Sequence, residues 1–239
     1  GDTIIYSSQA DFTTLEYIIE SGTVTDVQGN TYKTIKIGDQ WWMAENLKST
    51  HYSDGTAINY AADSATWVNL GKTGLGYCYY DNESSNATPY GVIYNWQTAM
   101  RSSTTESVQG VCPSGWHLPS DEEWKTLEKS LGMSDVEANN SGWRGNEEGN
   151  ALKDDGADYW LSNNTGTNTS GFTAVGSGYR TGNAQDDNFY SLTDYAEFWT
   201  STFDGGDDAW YRILRYSESR IRREHYLRSY GRSVRCVKN

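Results

Sequence analysis

Carboxylates on a glycine-flexible loop suit a hard cation, and the stretch Asp204-Gly205-Gly206-Asp207-Asp208 has that composition, so Asp204, Asp207 and Asp208 could wrap a calcium ion. Asp154-Asp155 and Asp186-Asp187 are weaker instances of the same pattern. None has EF-hand spacing, and the competing reading is a solvated turn. His51 and His225 have no nucleophile or carboxylate at an informative spacing, and paired carboxylates are too common in an acidic chain to single out a glycosidase dyad. His117 sits between Trp116 and Leu118 ahead of a helix, where a hydrogen-bonded structural histidine is expected rather than a catalytic one. No enzymatic activity is expected.

The three cysteines, Cys78, Cys112 and Cys236, form no CxxC pair, which leaves a zinc ribbon or a thioredoxin-like motif unsupported. A Cys112–Cys236 bridge is expected, with Cys78 left over. Closing so long a loop would constrain the unfolded chain by roughly 4 to 5 kcal/mol in the loop-entropy model. The alternative is a pair of buried free thiols. The bridge would imply an oxidising, exported location. The start Gly1-Asp2-Thr3 reads as what is left when a leader is removed, so membrane attachment is expected only through that leader or a lipid anchor.

Charge is divided unevenly along the 239 residues, which carry 19 basic and 32 acidic side chains. From Tyr211 to Asn239 there are nine basic residues against Glu218 and Glu224, a net of +7, while the preceding 210 residues carry a net of −20. Basic residues interleaved with aromatics can bind nucleic acid. An acidic body would repel that partner, so internal charge complementarity is expected and nucleic acid is not.

These residues need elements to position them. The 33 aromatic residues supply bulk for a core, and 24 glycines with abundant Asn, Ser and Thr describe long polar connections. Residues 1–23 read as an appendage, with Phe12, Leu15, Ile18 and Ile19 at helical spacing before Gly22, or alternatively as an added edge strand. The main domain is placed at 24–239. Alternation over Thr31–Ile37 predicts a strand with one buried face, turning at Gly38-Asp39-Gln40 into Trp41-Trp42-Met43. Val92, Ile93, Trp96, Ala99 and Met100 cluster at helical spacing. Ser120 and Glu123 form a capping box for a helix with Trp124, Leu127 and Leu131 on one face and Gly132 at its end. Strands are predicted at 172–175, 198–203, 210–216, 220–227 and 233–237. Two helices followed by antiparallel strands indicate an α+β domain.

Several blocks resemble the Fibrobacter succinogenes major paralogous domain family. They are TYKTIKIGDQWWMAENL (31–47), YGVIYNW (90–96), CPSGWHLPSDEEW (112–124), GSGYR (176–180), FWTST (198–202) and YGRSVRCVK (230–238), in the family's order. Cys112 and Cys236 lie in opposite terminal blocks of the resemblance. The resemblance implies a C-type-lectin-like fold, with two helices flanking a small twisted antiparallel sheet and long loops. It also implies export, commonly as a bacterial surface lipoprotein. Family members often carry a second cysteine after the position of Cys78, where this chain reads Ser84-Ser85-Asn86-Ala87-Thr88, which fits an unpaired Cys78. The Glu-Pro-Asn or Gln-Pro-Asp triplet of sugar-binding C-type lectins is absent from the sequence. The 115–124 block is also similar to formylglycine-generating enzymes, but those need a reactive cysteine pair near the chain end, and only Cys236 lies there.

Fold does not fix function. The expected function is a surface-displayed, non-enzymatic binding module for a protein or glycan ligand. The alternative is a structural or assembly component of the bacterial cell surface, and a third reading is a carbohydrate-active enzyme. Similar proteins carry small residues or Asn through much of 210–228, and C-type-lectin-like proteins diversified by retroelements vary in this same region. Trp210, Arg215, Glu218, Arg220, Arg222, Glu224 and Tyr226 are therefore the candidate ligand-binding residues. In a strand, Arg220, Arg222, Glu224 and Tyr226 share one face, opposite Ile221, Arg223, His225 and Leu227, and the Ile221 face is the better core candidate. The competing reading is a solvated charged strand.

Overall fold

The computed structural model describes residues 19–183 and 186–239. Its strands in chain order are β1 (Ser21–Thr25), β2 (Thr31–Ile37), β3 (Gln40–Met43), β4 (Tyr77–Cys78), β5 (Ile93–Asn95), β6 (Trp116–His117), β7 (Gly142–Arg144), β8 (Ser177–Arg180), β9 (Phe189–Leu192), β10 (Tyr195–Phe203), β11 (Asp208–Arg215), β12 (Ile221–Leu227), β13 (Gly231–Arg232) and β14 (Val237–Lys238). The helices are α1 (Ser64–Leu70), α2 (Ala87–Tyr90), α3 (Trp96–Met100), α4 (Asp121–Ser130), α5 (Asp135–Ala138) and α6 (Glu148–Leu152). One sheet runs β1-β2-β3-β14-β6, and the larger runs β4-β5-β13-β8-β10-β11-β12-β7 with β9 beside β8. The fold is mixed α+β and mostly antiparallel sheet. It differs from the expected single small sheet between two helices, because the long β10–β11–β12 ribbon and the short strands around β13 join into a nine-stranded sheet.

Both sheets separate two cores. Along β2, Tyr32 belongs to one hydrophobic cluster while Ile35 and Ile37 belong to the other. The expectation of one buried face for this strand is therefore corrected: Tyr32, Thr34, Ile35 and Ile37 are all buried. The same division recurs in the large sheet, where Trp199, Tyr211 and Ile213 join the first cluster and Ala196, Phe198, Leu214 and Ile221 join the second. Alternation along each strand sends neighbours to opposite cores.

The predicted hairpin forms as β2 and β3, with Gly38 at φ 58° in the turn, a conformation that a Cβ disfavours. The capping box is present in α4. Ser120 Oγ accepts from the Glu123 amide at 3.2 Å, and the Ser120 amide donates to Glu123 at 2.8 Å. Trp124 and Leu127 are fully buried. Three local expectations are corrected. Residues 93–95 form a strand rather than part of a helix, because the β-branched and aromatic run Val92-Ile93-Tyr94 fits a pleated surface; Asn95 then caps α3 by accepting from the Thr98 amide. Residues 172–175 are not a regular strand: Gly171 and Thr173 have positive φ, and only Ala174 makes a β-bridge, to Lys153. Residues 233–237 are divided, since pairing occurs at β13 and β14 with a single bridge at Ser233 between them.

The helix proposed for the appendage lies largely outside the described residues. Gly22 sits inside edge strand β1 rather than at a helix end, and that strand runs across the expected boundary at Val24.

Candidate binding site

The C-terminal ribbon has two chemically different faces. On one, α4 covers β11 and β12. Arg212 Nη1 donates to Asp121 at 2.7 Å and Arg212 Nε to Glu128 at 2.6 Å. Arg223 grips Asp121 with Nε and Nη2 at 2.9 and 2.8 Å, and Arg144 Nη2 reaches Glu128 at 2.6 Å. All five side chains are buried. Burial alone would raise the Asp121 carboxyl, but Arg212 and Arg223 outweigh it and hold it well below the usual carboxylate range.

Other basic residues of the segment also turn inward. Arg235 Nε donates to Asn46 Oδ1 at 2.8 Å and Arg235 Nη2 to the Thr173 carbonyl at 2.8 Å, and burial pushes its guanidinium down to about 9. Arg232 Nε donates to buried Glu197 at 2.7 Å. Arg212, Arg223 and Arg232 thus meet carboxylates in the interior, as internal charge complementarity requires, while Arg235 is buried against neutral acceptors.

The other face carries Arg222, Glu224 and Tyr226 from β12 beside Tyr211 and Ile213 from β11, by the register Tyr211↔Glu224 and Ile213↔Arg222. Here a cleft of about 200 Å³ is lined by Tyr179, Glu197, Tyr211, Tyr226, Tyr230 and Arg232. The Arg232 guanidinium lies 3.7 Å from the Tyr211 ring centroid and 4.2 Å from that of Trp199. The Tyr226 and Tyr230 rings meet edge to face at 4.9 Å, and Tyr179 stacks on Tyr230 at 6.3 Å. Burial raises the Glu197 carboxyl, and Arg232, with a smaller contribution from Arg222, only partly offsets this. Burial likewise pushes the Tyr179 and Tyr211 phenols up to about 12, so both are neutral hydrogen-bonding groups at ordinary pH.

The structure brings together three of the seven residues selected from sequence: Arg222, Glu224 and Tyr226. Ile221 and Arg223 are buried on the opposite side of β12, as alternation predicts. Trp210 lies on that opposite side, its ring 3.7 Å from the Arg223 guanidinium and 4.8 Å from the His225 ring. Arg215 is at the far end of β11, paired with Asp194 at 3.1 Å. Glu218 and Arg220 pair with each other at 2.8 Å in the turn before β12.

The aspartate loop is occupied by basic partners. Asp204 and Asp208 lie 3.1 and 3.2 Å from His225 Nδ1, and Asp207 pairs with Lys72. Among the described residues no group of three or more His, Cys, Asp or Glu side chains converges in a metal-holding arrangement. His117 is hydrogen-bonded as expected: Nε2 lies 2.7 Å from Glu123 and Nδ1 lies 2.7 Å from Asn239. Although burial works against the imidazolium, Glu123 and Asn239 outweigh it and the His117 pKa is raised.

Sequence reasoning did not select Tyr179, Glu197, Tyr211, Tyr230 and Arg232 as site residues. Tyr179, Tyr230 and Arg232 lie within recognisable sequence blocks, but only the pairing of β13 with β8 shows that those blocks meet. Cys112 and Cys236 are joined by a disulfide, and Cys78 is free and buried. Neither a curated protein nor a solved structure matches the chain. The sequence profile of the Fibrobacter succinogenes major domain matches residues 35–238, a span that includes the end of β2, the hairpin turn, β3, α4, both bridged cysteines and every cleft residue. The chain belongs to the Fibrobacter succinogenes major domain family.

Proposed function

We propose that this chain is a non-enzymatic binding module, exported and displayed on a bacterial surface, that takes a protein or glycan ligand on the β12 face. The observation that carries this reading is the tyrosine-lined cleft beside Arg222, Glu224 and Tyr226. Concave aromatic surface with a few convergent polar groups is the usual make-up of a recognition site, and Tyr and Arg are enriched among residues that dominate binding. The Cys112–Cys236 bridge supports an oxidising compartment. Family membership and the two helices α3 and α4 packed on curled sheets support a C-type-lectin-like arrangement.

An array of glycans and bacterial surface proteins tests the proposal. Reproducible capture that weakens when Arg222, Glu224 and Tyr226 are replaced together by Ala is the expected result. Capture with affinity unchanged in a folded triple variant would move the site elsewhere. Silence on the array together with self-association in solution would favour an assembly component, and turnover of an arrayed glycan would favour an enzyme.

A further inference from the structure

We infer that the tyrosine cleft is a subsite for a single neutral sugar ring, a reading that rests on the proposed binding function and narrows its ligand. Three observations lead there. The first is size: about 200 Å³ falls below the roughly 300 Å³ at which sites for drug-sized molecules begin, so the cleft holds one ring and not an extended chain.

The second is charge. Four tyrosines alone would suit a quaternary ammonium, which aromatic faces attract. The floor, however, contains the Arg232 guanidinium, 3.7 Å from the Tyr211 centroid, and this repels a cation. Glu197, 2.7 Å from Arg232 Nε, repels an anion in the same way. At the rim Arg222 and Glu224 neutralise each other at 2.9 Å. A neutral guest is the one that none of these charges opposes.

The third is the kind of contact on offer. Tyrosine rings present apolar faces and polar tips, which match a pyranose with its C–H faces and its rim of hydroxyls. Tyr226 is 44% exposed, so its ring edge is the part of the wall that an entering ring meets first.

The test is titration calorimetry on the full chain with the methyl glycosides of glucose, galactose and mannose, alongside methyl glucuronide, glucosamine and choline. Saturable binding of at least one neutral glycoside is expected, with the charged probes weaker by roughly tenfold or more. Tyr226→Ala should weaken that binding by roughly tenfold, with the folded state checked by circular dichroism. Tyr230→Phe keeps the ring and should retain most of the affinity. Charged probes binding as tightly as neutral ones would overturn the inference, as would a folded Tyr226→Ala variant with unchanged affinity. If no glycoside binds while the array identifies a protein ligand, the sugar subsite is wrong and the binding module stands. If neither binds, both readings fall.

Discussion

The two faces of the β10–β11–β12 ribbon both bury arginine against carboxylate, yet they leave the carboxylates in opposite states. Under α4, Asp121 is held by Arg212 and Arg223 together, and its pKa falls despite burial. In the cleft, Glu197 is hydrogen-bonded to Arg232 only, with Arg222 acting from farther off, and burial prevails, raising its pKa. The α4 face sets three arginines against two buried carboxylates, closed to water. The other sets one such pair among tyrosine rings and leaves Tyr226 exposed at its edge. Buried pairs do little for stability compared with a well-packed apolar core, but they are costly to break. The network under α4 is therefore expected to weigh most in folding, and the exposed rim of the cleft to tolerate change.

The largest effect should come from Asp121→Ala, which takes the carboxylate from buried Arg223 and leaves Arg212 with Glu128 alone. A loss of about 4 kcal/mol in urea denaturation is expected. A loss below about 1 kcal/mol would mean that Glu128 can take over Arg223 as well as Arg212, and the contrast between the faces would weaken. Replacing Cys112 and Cys236 together by Ala should cost about 3 kcal/mol, because the bridge spans 124 residues and lies in the core on the cleft side of the ribbon. Thiol titration of the unreduced, denatured protein should then find one free thiol, that of Cys78. In the native state this thiol should react slowly, since burial pushes it up to about 12. Three free thiols would refute the bridge.

The pH dependences should run in opposite directions. Asp121 has a depressed folded pKa, so its contribution is present above the ordinary aspartate value of about 3.9 and is lost as pH falls through the folded value. Glu197 has a raised folded pKa, so its contribution is present below the ordinary glutamate value of about 4.3 and is lost as pH rises through the folded value. Denaturation of Asp121→Asn and Glu197→Gln across the acid range checks this. The deficit of Asp121→Asn relative to the parent should shrink toward low pH, while Glu197→Gln should gain on the parent as pH rises. Profiles of the same sign would break the comparison.

Much of the fold was legible in the residues, for identifiable reasons. The α4 capping box and the β2–β3 hairpin are local: the signals and the structure lie within a few residues of each other, so alternation and capping suffice. Parity along β12 was equally readable, because Ile221 and Arg223 differ in register from Arg222 and Glu224 whatever the strand packs against. The helix predicted from Val92 starts only at Trp96, because apolar residues at 92, 93 and 96 satisfy a helical spacing as well as a short buried strand. The burial of both faces of β2 was hidden because nothing within the strand announces a second core. The cleft was least legible of all. Its residues come from β8, β10, β11, β12, β13 and the turn before β13, and the neutrality of the site depends on which arginine meets which carboxylate across the sheet.

The smallest effect concerns the pair at the rim of the cleft. Arg222 and Glu224 lie 2.9 Å apart with side chains 41% and 27% exposed, so water screens their attraction and holding both side chains costs conformational freedom. A double-mutant cycle with Ala at each position should give a coupling of no more than about 0.5 kcal/mol. Roughly 0.5 M salt should remove most of it, because the screening length then falls to near the size of the pair. The Asp121 network, closed to water, should respond far less to the same salt. A weak rim pair can be exchanged for contacts to a ligand at little cost, which is what a recognition surface requires. A coupling above about 2 kcal/mol would place Arg222 and Glu224 with the structural network instead, and the β12 face would then differ from the α4 face in residue type but not in role.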